Sequence, residues 1–209
     1  MDTDVVQAVA HYVEKTMGRE AFRYVSAVVA NCKMLAAQLE MQEDDPVALD
    51  TDALVIAAYL HDISTVAHGF QDHQIKSSEL AADFLRDCDM SEDRIARVQK
   101  AILTHTTMTL QQDRGRITEG QVLYDADKLG RLSGLAIVTS LIEFGVRYPH
   151  QAVTGEVLTA LLRHIEERFI ELYQSLYTAP AREMAREKFH SALAFLDGVI
   201  EHLSDATPV

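Results

Sequence analysis

A histidine and an aspartate, His61-Asp62, close a stretch in which Leu54, Ala57 and Ala58 recur at the spacing of one helix face. Ile95, Val98 and Ile102 lead in the same way to His105, and Leu123 leads to Asp127 on a stripe that continues through Gly130, Gly134 and Ile137. Three segments therefore turn a His or an Asp toward a side that should be apolar. A buried carboxylate is costly unless it is paired, hydrogen-bonded or bound to a cation, and two in one core are costlier. A divalent metal is the simplest compensation. Imidazole nitrogen and carboxylate oxygen suit Mn, Fe, Co or Zn, and Mg where waters fill the remaining positions. Taken singly, each residue has a plainer reading, the histidines as hydrogen-bonded core residues and Asp62 as the partner of a Lys or Arg. The combination favours the metal.

The elements that must position these residues are helices. Gly and Pro are sparse, β-branched alternation is rare, and apolar residues recur at spacings of three and four almost throughout. The pattern predicts an all-α protein, with helices over 4–16, 20–42, 51–66, 73–87, 91–108, 118–146, 154–177 and 181–204. Start signals stand at Asp50-Thr51-Asp52, Ser91-Glu92-Asp93, Thr154 and Pro180. Breaks are expected at Asp44-Asp45-Pro46, His68-Gly69-Phe70, Gln112 to Gly115 and Tyr148-Pro149, and none is long enough for a flexible linker. One compact helical domain over 1–209 is the expectation, with a site-bearing core at about 20–146. The stripe Leu158, Leu161, Leu162, Ile165, Phe169, Leu172 and Leu176 marks 154–204 as packing helices and as the place for a homodimer interface. Gly130 and Gly134 read as close helix packing, because no glycine-rich phosphate loop surrounds them.

Composition narrows the function further. With 48% apolar and 24% charged residues, the chain of 209 residues is an ordinary globular sequence. Its longest strongly apolar stretch without a charge, Leu132 to Ile142, is about half of the ~20 residues that a membrane crossing needs. The two cysteines, Cys32 and Cys88, do not form a disulfide framework, and the start is acidic, so a reducing cytoplasm is the expected compartment. A net charge of −13 opposes binding to polymeric nucleic acid. Small anions stay open, since a metal or a few cations can reverse the field inside one cleft.

The segments Ala57-Ala58-Tyr59-Leu60-His61-Asp62-Ile63 and Leu123-Tyr124-Asp125-Ala126-Asp127-Lys128-Leu129 together resemble the HD superfamily of metal-dependent phosphohydrolases. The resemblance covers most of the chain and is nearest to small bacterial nucleotide pyrophosphohydrolase-like members, including Tyr177-Thr178-Ala179-Pro180-Ala181-Arg182-Glu183-Met184-Ala185. It implies that His61 and Asp62 are paired metal ligands and that Asp127 closes the set. Members with two metals add two histidines, for which His73 and His105 stand in comparable places; His68, in a Gly-containing loop, competes for the first. The family normally opens with a metal-binding His on an early helix, and aligning Val28, Cys32, Leu35 and Ala36 puts Tyr24 there. Tyr24 is then either a phenolate ligand suited to iron or a neutral tyrosine lining the core. His11 lies a helix too early to substitute.

What the resemblance implies for activity is hydrolysis of a nucleotide or another small phosphorylated metabolite, with one or two divalent ions activating water. Asp62 and Asp127 supply two negative charges, so one ion neutralises the set and a second leaves a surplus for phosphate. Asp62 is the candidate to orient the water, and Lys128 and Arg131 the candidates to meet phosphate oxygens. His105 either ligates a second metal or gives a proton to the leaving oxygen. Two other functions stay open: a non-catalytic HD module that binds a nucleotide or a partner protein, motivated by Tyr24, and a di-iron HD-type oxygenase.

Overall fold

A computed structural model of the chain describes residues 3–42, 47–106 and 116–205. Among them are nine helices and no strand: α1 (Thr3–Glu40), α2 (Thr51–Leu60), α3 (Thr65–His68), α4 (His73–Asp87), α5 (Glu92–Leu103), α6 (Glu119–Arg131), α7 (Gly134–Arg147), α8 (Gly155–Gln174) and α9 (Ala179–Asp205). The fold is all-α, as the apolar spacing leads one to expect. By its internal contacts the chain divides into two compact units, residues 1–127 and 128–209.

The first unit is organised around α2. Seven of its ten residues, Ala53 to Ala58 and Leu60, are buried, so this helix is apolar on every side and must sit inside. It packs on α1, α5 and α4. α1 contributes Val25, Val28, Val29, Cys32, Leu35, Ala36 and Leu39, and α5 contributes Ile95, Val98 and Ile102. The Asp50 side chain caps α2 by accepting from the Ala53 amide at 3.0 Å. The expected interruption between 16 and 20 is a kink within α1, at Gly18 with φ 81° and ψ 164°. That backbone conformation favours glycine.

In the second unit α8 and α9 pack together, and α7 packs on both. Leu162, Ile165 and Phe169 of α8 and Ala185, Phe189, Ala192 and Leu196 of α9 are buried, and the Tyr173 and Phe189 rings stack at 4.1 Å. Thr154 caps α8 by accepting from the Val157 amide.

Several expected boundaries need correction. The helix expected over 51–66 ends at Leu60, and residues 61–64 form a turn before the short α3. The helix expected over 118–146 is two helices, because Ser133 adopts extended backbone (φ −146°, ψ 160°) as the N-cap of α7. Apolar spacing ran through this break, while Ser133-Gly134 carried the start signal. Nor does Gly134 serve close packing: it is exposed, and a Cβ there would meet nothing within 4 Å. The helix expected over 91–108 ends at Leu103, with Thr104 as its cap and His105 already beyond it, while the expected breaks at 44–46 and 112–115 lie outside the described residues.

Candidate metal centre

The end of α2 delivers the first two donors. His61 is the C-cap of α2 and fully buried, and Asp62 follows it into the turn with 7% exposure. His105 lies two residues beyond α5, after the cap Thr104, and is 2% exposed. Donor atoms of His61, Asp62 and His105 all fall within 4.8 Å of one another. The His61 and His105 rings meet edge to face, with centroids 5.1 Å apart.

Hydrogen bonding fixes which ring nitrogen faces the cluster. Nδ1 of His61 donates to the Ala58 carbonyl at 2.8 Å, Nδ1 of His73 to Phe70 at 2.9 Å, and Nδ1 of His105 to Ile102. Because a carbonyl only accepts, Nδ1 carries the proton in all three, and Nε2 is the nitrogen free to bind. Metal-ligating imidazoles are oriented in the same manner.

Two atoms mark where a cation would sit. His61 Nε2 and Asp62 Oδ1 are buried side-chain atoms without a hydrogen-bond partner. His61 Nε2 is 3.3 Å from Asp62 Oδ2, and His73 Nε2 is 3.4 Å from Asp62 Oδ1, but neither contact is aligned for a hydrogen bond. Orphaned polar atoms at this depth are rare and call for a missing partner. The donor set of imidazole nitrogens and carboxylate oxygen fits a divalent ion.

Electrostatics agree with the geometry. Burial alone would push the His61 pKa down, yet the adjoining Asp62 carboxylate outweighs it and raises His61 above its ordinary value. Burial would likewise raise Asp62, and the positive His61 ring instead holds it well below the usual carboxylate range. Without a metal, the two form an ion pair. His105 is pushed down to about 3, chiefly by burial and then by the charge on His61. It stays neutral, the form in which an imidazole can bind a cation.

The remaining expected residues take various places. Asp127, on α6 and 1% exposed, lies outside the close triple, although its charge acts on His61, Asp62 and His105. The Tyr24 hydroxyl donates to Asp127 Oδ1 in a short hydrogen bond. His73, at the start of α4, is half-buried, with its ring centroid 5.4 Å from that of His105. His68 is exposed at the end of α3, and His11 is exposed on α1. Lys128 and Arg131 belong to the second unit, in the last turn of α6.

Four contributors escaped the sequence reading. Ser64 and Ser77 are fully buried and joined at 3.0 Å, and the Ser64 hydroxyl donates to the His73 carbonyl at 3.1 Å. Asn31 of α1 donates to the Ala126 carbonyl at 3.1 Å, one residue before Asp127. Gly120 lets α6 approach Thr104, whose Oγ1 occupies the space that a Cβ would need. A serine beside apolar neighbours gives no sign of its distant partner, but a glycine in the first turn of a helical pattern is a visible signal.

Residues 26–132 match the HD domain family. Among solved structures, an HD-superfamily hydrolase from Bacillus thuringiensis aligns with a TM-score of 0.71 at 16% identity, covering 99% of this chain and 100% of that one. A Listeria innocua protein gives a TM-score of 0.68 at 14% identity, over 98% of each chain. YpgQ of Bacillus subtilis, crystallised in complex with ADP, gives 0.65 at 19% identity, over 94% of this chain and 93% of that one. No curated protein matches the sequence.

Proposed function

The chain belongs to the HD domain family, and on that premise we propose that it is a metal-dependent phosphohydrolase acting on a nucleotide or another small phosphorylated metabolite. The observation that carries the reading is the pair of orphaned buried atoms, His61 Nε2 and Asp62 Oδ1, beside the neutral ring of His105. His61, Asp62, His105 and Asp127 would hold a divalent ion, and His73, near Asp62 Oδ1, is the candidate ligand for a second. When bound, the cation supplies Lewis acidity and a water acidic enough to attack phosphorus at neutral pH.

The chain's own groups then have separate tasks. Asp62, beside the ion that it helps to hold, is the residue proposed to orient the attacking water. His105, held neutral, has no proton to give near neutral pH, which favours its ligand role over that of acid. From the sequence, Lys128 and Arg131 are the proposed contacts to phosphate oxygens. The ADP bound to YpgQ makes a nucleoside diphosphate the first substrate class to try.

Elemental mass spectrometry tests the reading on wild type and on Asp62→Ala, each purified without chelator and then supplied with Mn²⁺. One or two equivalents in wild type and a loss in the variant are expected, with phosphate release from a nucleotide following the metal. Equal metal content in both proteins would remove Asp62 from the site. No metal in either would leave a binding module as the better reading.

A further inference from the structure

The Tyr24 hydroxyl is directed at a buried carboxylate, and the same helix grips the neighbouring residue. Tyr24 and Asn31 are seven apart on α1, which places them on one face two turns apart. Tyr24 donates to Asp127 Oδ1, while Asn31 donates to the carbonyl of Ala126 at 3.1 Å. One side chain thus fixes the carboxylate and the other fixes its backbone. Asp127 is almost fully buried, whereas Tyr24 is 38% exposed, so the hydroxyl reaches inward from a half-solvated ring.

We propose that Tyr24 is a positioning residue for Asp127: its hydroxyl holds one carboxylate oxygen and so sets the orientation of a carboxylate whose charge acts on His61, Asp62 and His105. A phenol is a neutral donor, and a carboxylate is satisfied best by donors. Tyr24 therefore lowers the cost of burying Asp127 when no cation is present and restricts its rotamer when one is. Hydrogen bonds of this kind set ligand orientation, and losing one typically weakens metal affinity by about 10- to 100-fold. Tyr24 acts through Asp127 instead of ligating by itself.

The test rests in one arm on the metal-site reading above and in the other arm does not. Metal-free wild type and Tyr24→Phe are titrated calorimetrically with Mn²⁺. The variant is expected to bind about 10- to 100-fold more weakly at unchanged stoichiometry, and in an Asp127→Asn background the same change should have no effect. Equal or tighter binding by Tyr24→Phe overturns the assignment. So does a visible charge-transfer band in the ferric protein that disappears in Tyr24→Phe, because that marks a direct phenolate ligand. If wild type takes up no metal, the hydrolase reading fails, and urea unfolding of Tyr24→Phe, Asp127→Asn and the double variant decides the inference. Non-additive losses of stability uphold the pair, and additive ones remove it.

Discussion

The ionisation of His61 and His105 makes the metal-free protein pH-sensitive from two sides. The His61 pKa is raised to about 8, against an opposing burial effect, mainly by the Asp62 charge. Between about 6.5 and 8 the folded chain therefore binds more protons than the unfolded chain, and stability falls as pH rises. His105 is lowered to about 3 by burial and by the His61 charge. Between about 3 and 6.5 the unfolded chain binds more protons, and stability falls as pH falls. The expected outcome is a maximum near pH 6.5 in urea midpoints of metal-free wild type, with an acid limb of up to about 1.4 kcal/mol per pH unit from His105. The His105→Gln variant should lose that part of the limb, and an unchanged slope would show that His105 takes up its proton equally in the folded and the unfolded chain. Thiol chemistry gives a second check. Burial, followed by the Asp127 and Asp125 charges, pushes the Cys32 thiol far up, whereas Cys88 is partly exposed. Only the thiolate reacts readily. A disulfide reagent should therefore modify Cys88 in the native protein and Cys32 only after denaturation, and two fast-reacting native thiols would contradict the burial of α1.

Position along a helix, more than residue type, decides what the elements deliver to the site. His105 stands two residues beyond α5, and the approach of α6 at Gly120 against Thr104 defines where that segment runs. A Cβ at position 120 would overlap Thr104 Oγ1 and press on the Ala101 carbonyl, so Gly120→Ala should destabilise the protein by about 1–3 kcal/mol. It should also weaken Mn²⁺ binding, because Thr104 adjoins His105. Retained stability and affinity would mean that rotation of the Thr104 side chain absorbs the methyl group. Among these elements the sequence was informative wherever one face dominated. The apolar stripe ending in His61 and the one ending in His105 placed both rings inside, and both are buried. Asp50 and Thr154 announced the caps that they make. Reading failed where periodicity crossed a break: the stripe from Leu123 to Ile137 hid the extended Ser133 between α6 and α7. It was silent on Ser64, Ser77 and Asn31, because hydrogen bonds between distant segments leave no spacing to detect. Tyr24 was visible as a departure from the family pattern, but its hydrogen bond to Asp127 required the packed α1 and α6.

For the whole molecule, the question is how a chain of net charge −13 could take a phosphorylated ligand. Among the described residues no single helix is long and apolar enough to cross a membrane. Long-range repulsion is screened beyond about 8 Å at physiological salt, and the local charge at the site decides. In the metal-free protein that local balance is unfavourable, because Asp62 and Asp127 are negative and only His61 among the clustered histidines is drawn toward the positive form. One divalent ion with neutral His61 brings the two carboxylates to balance, and a second leaves two positive charges for phosphate oxygens. Binding of ADP, measured by calorimetry, should therefore require added Mn²⁺ and disappear with a chelator, while a short DNA duplex should fail to bind under either condition. ADP binding that survives the chelator would place the nucleotide away from His61 and Asp62. Duplex binding would mean that the distribution of the basic residues, and not their total, governs this surface.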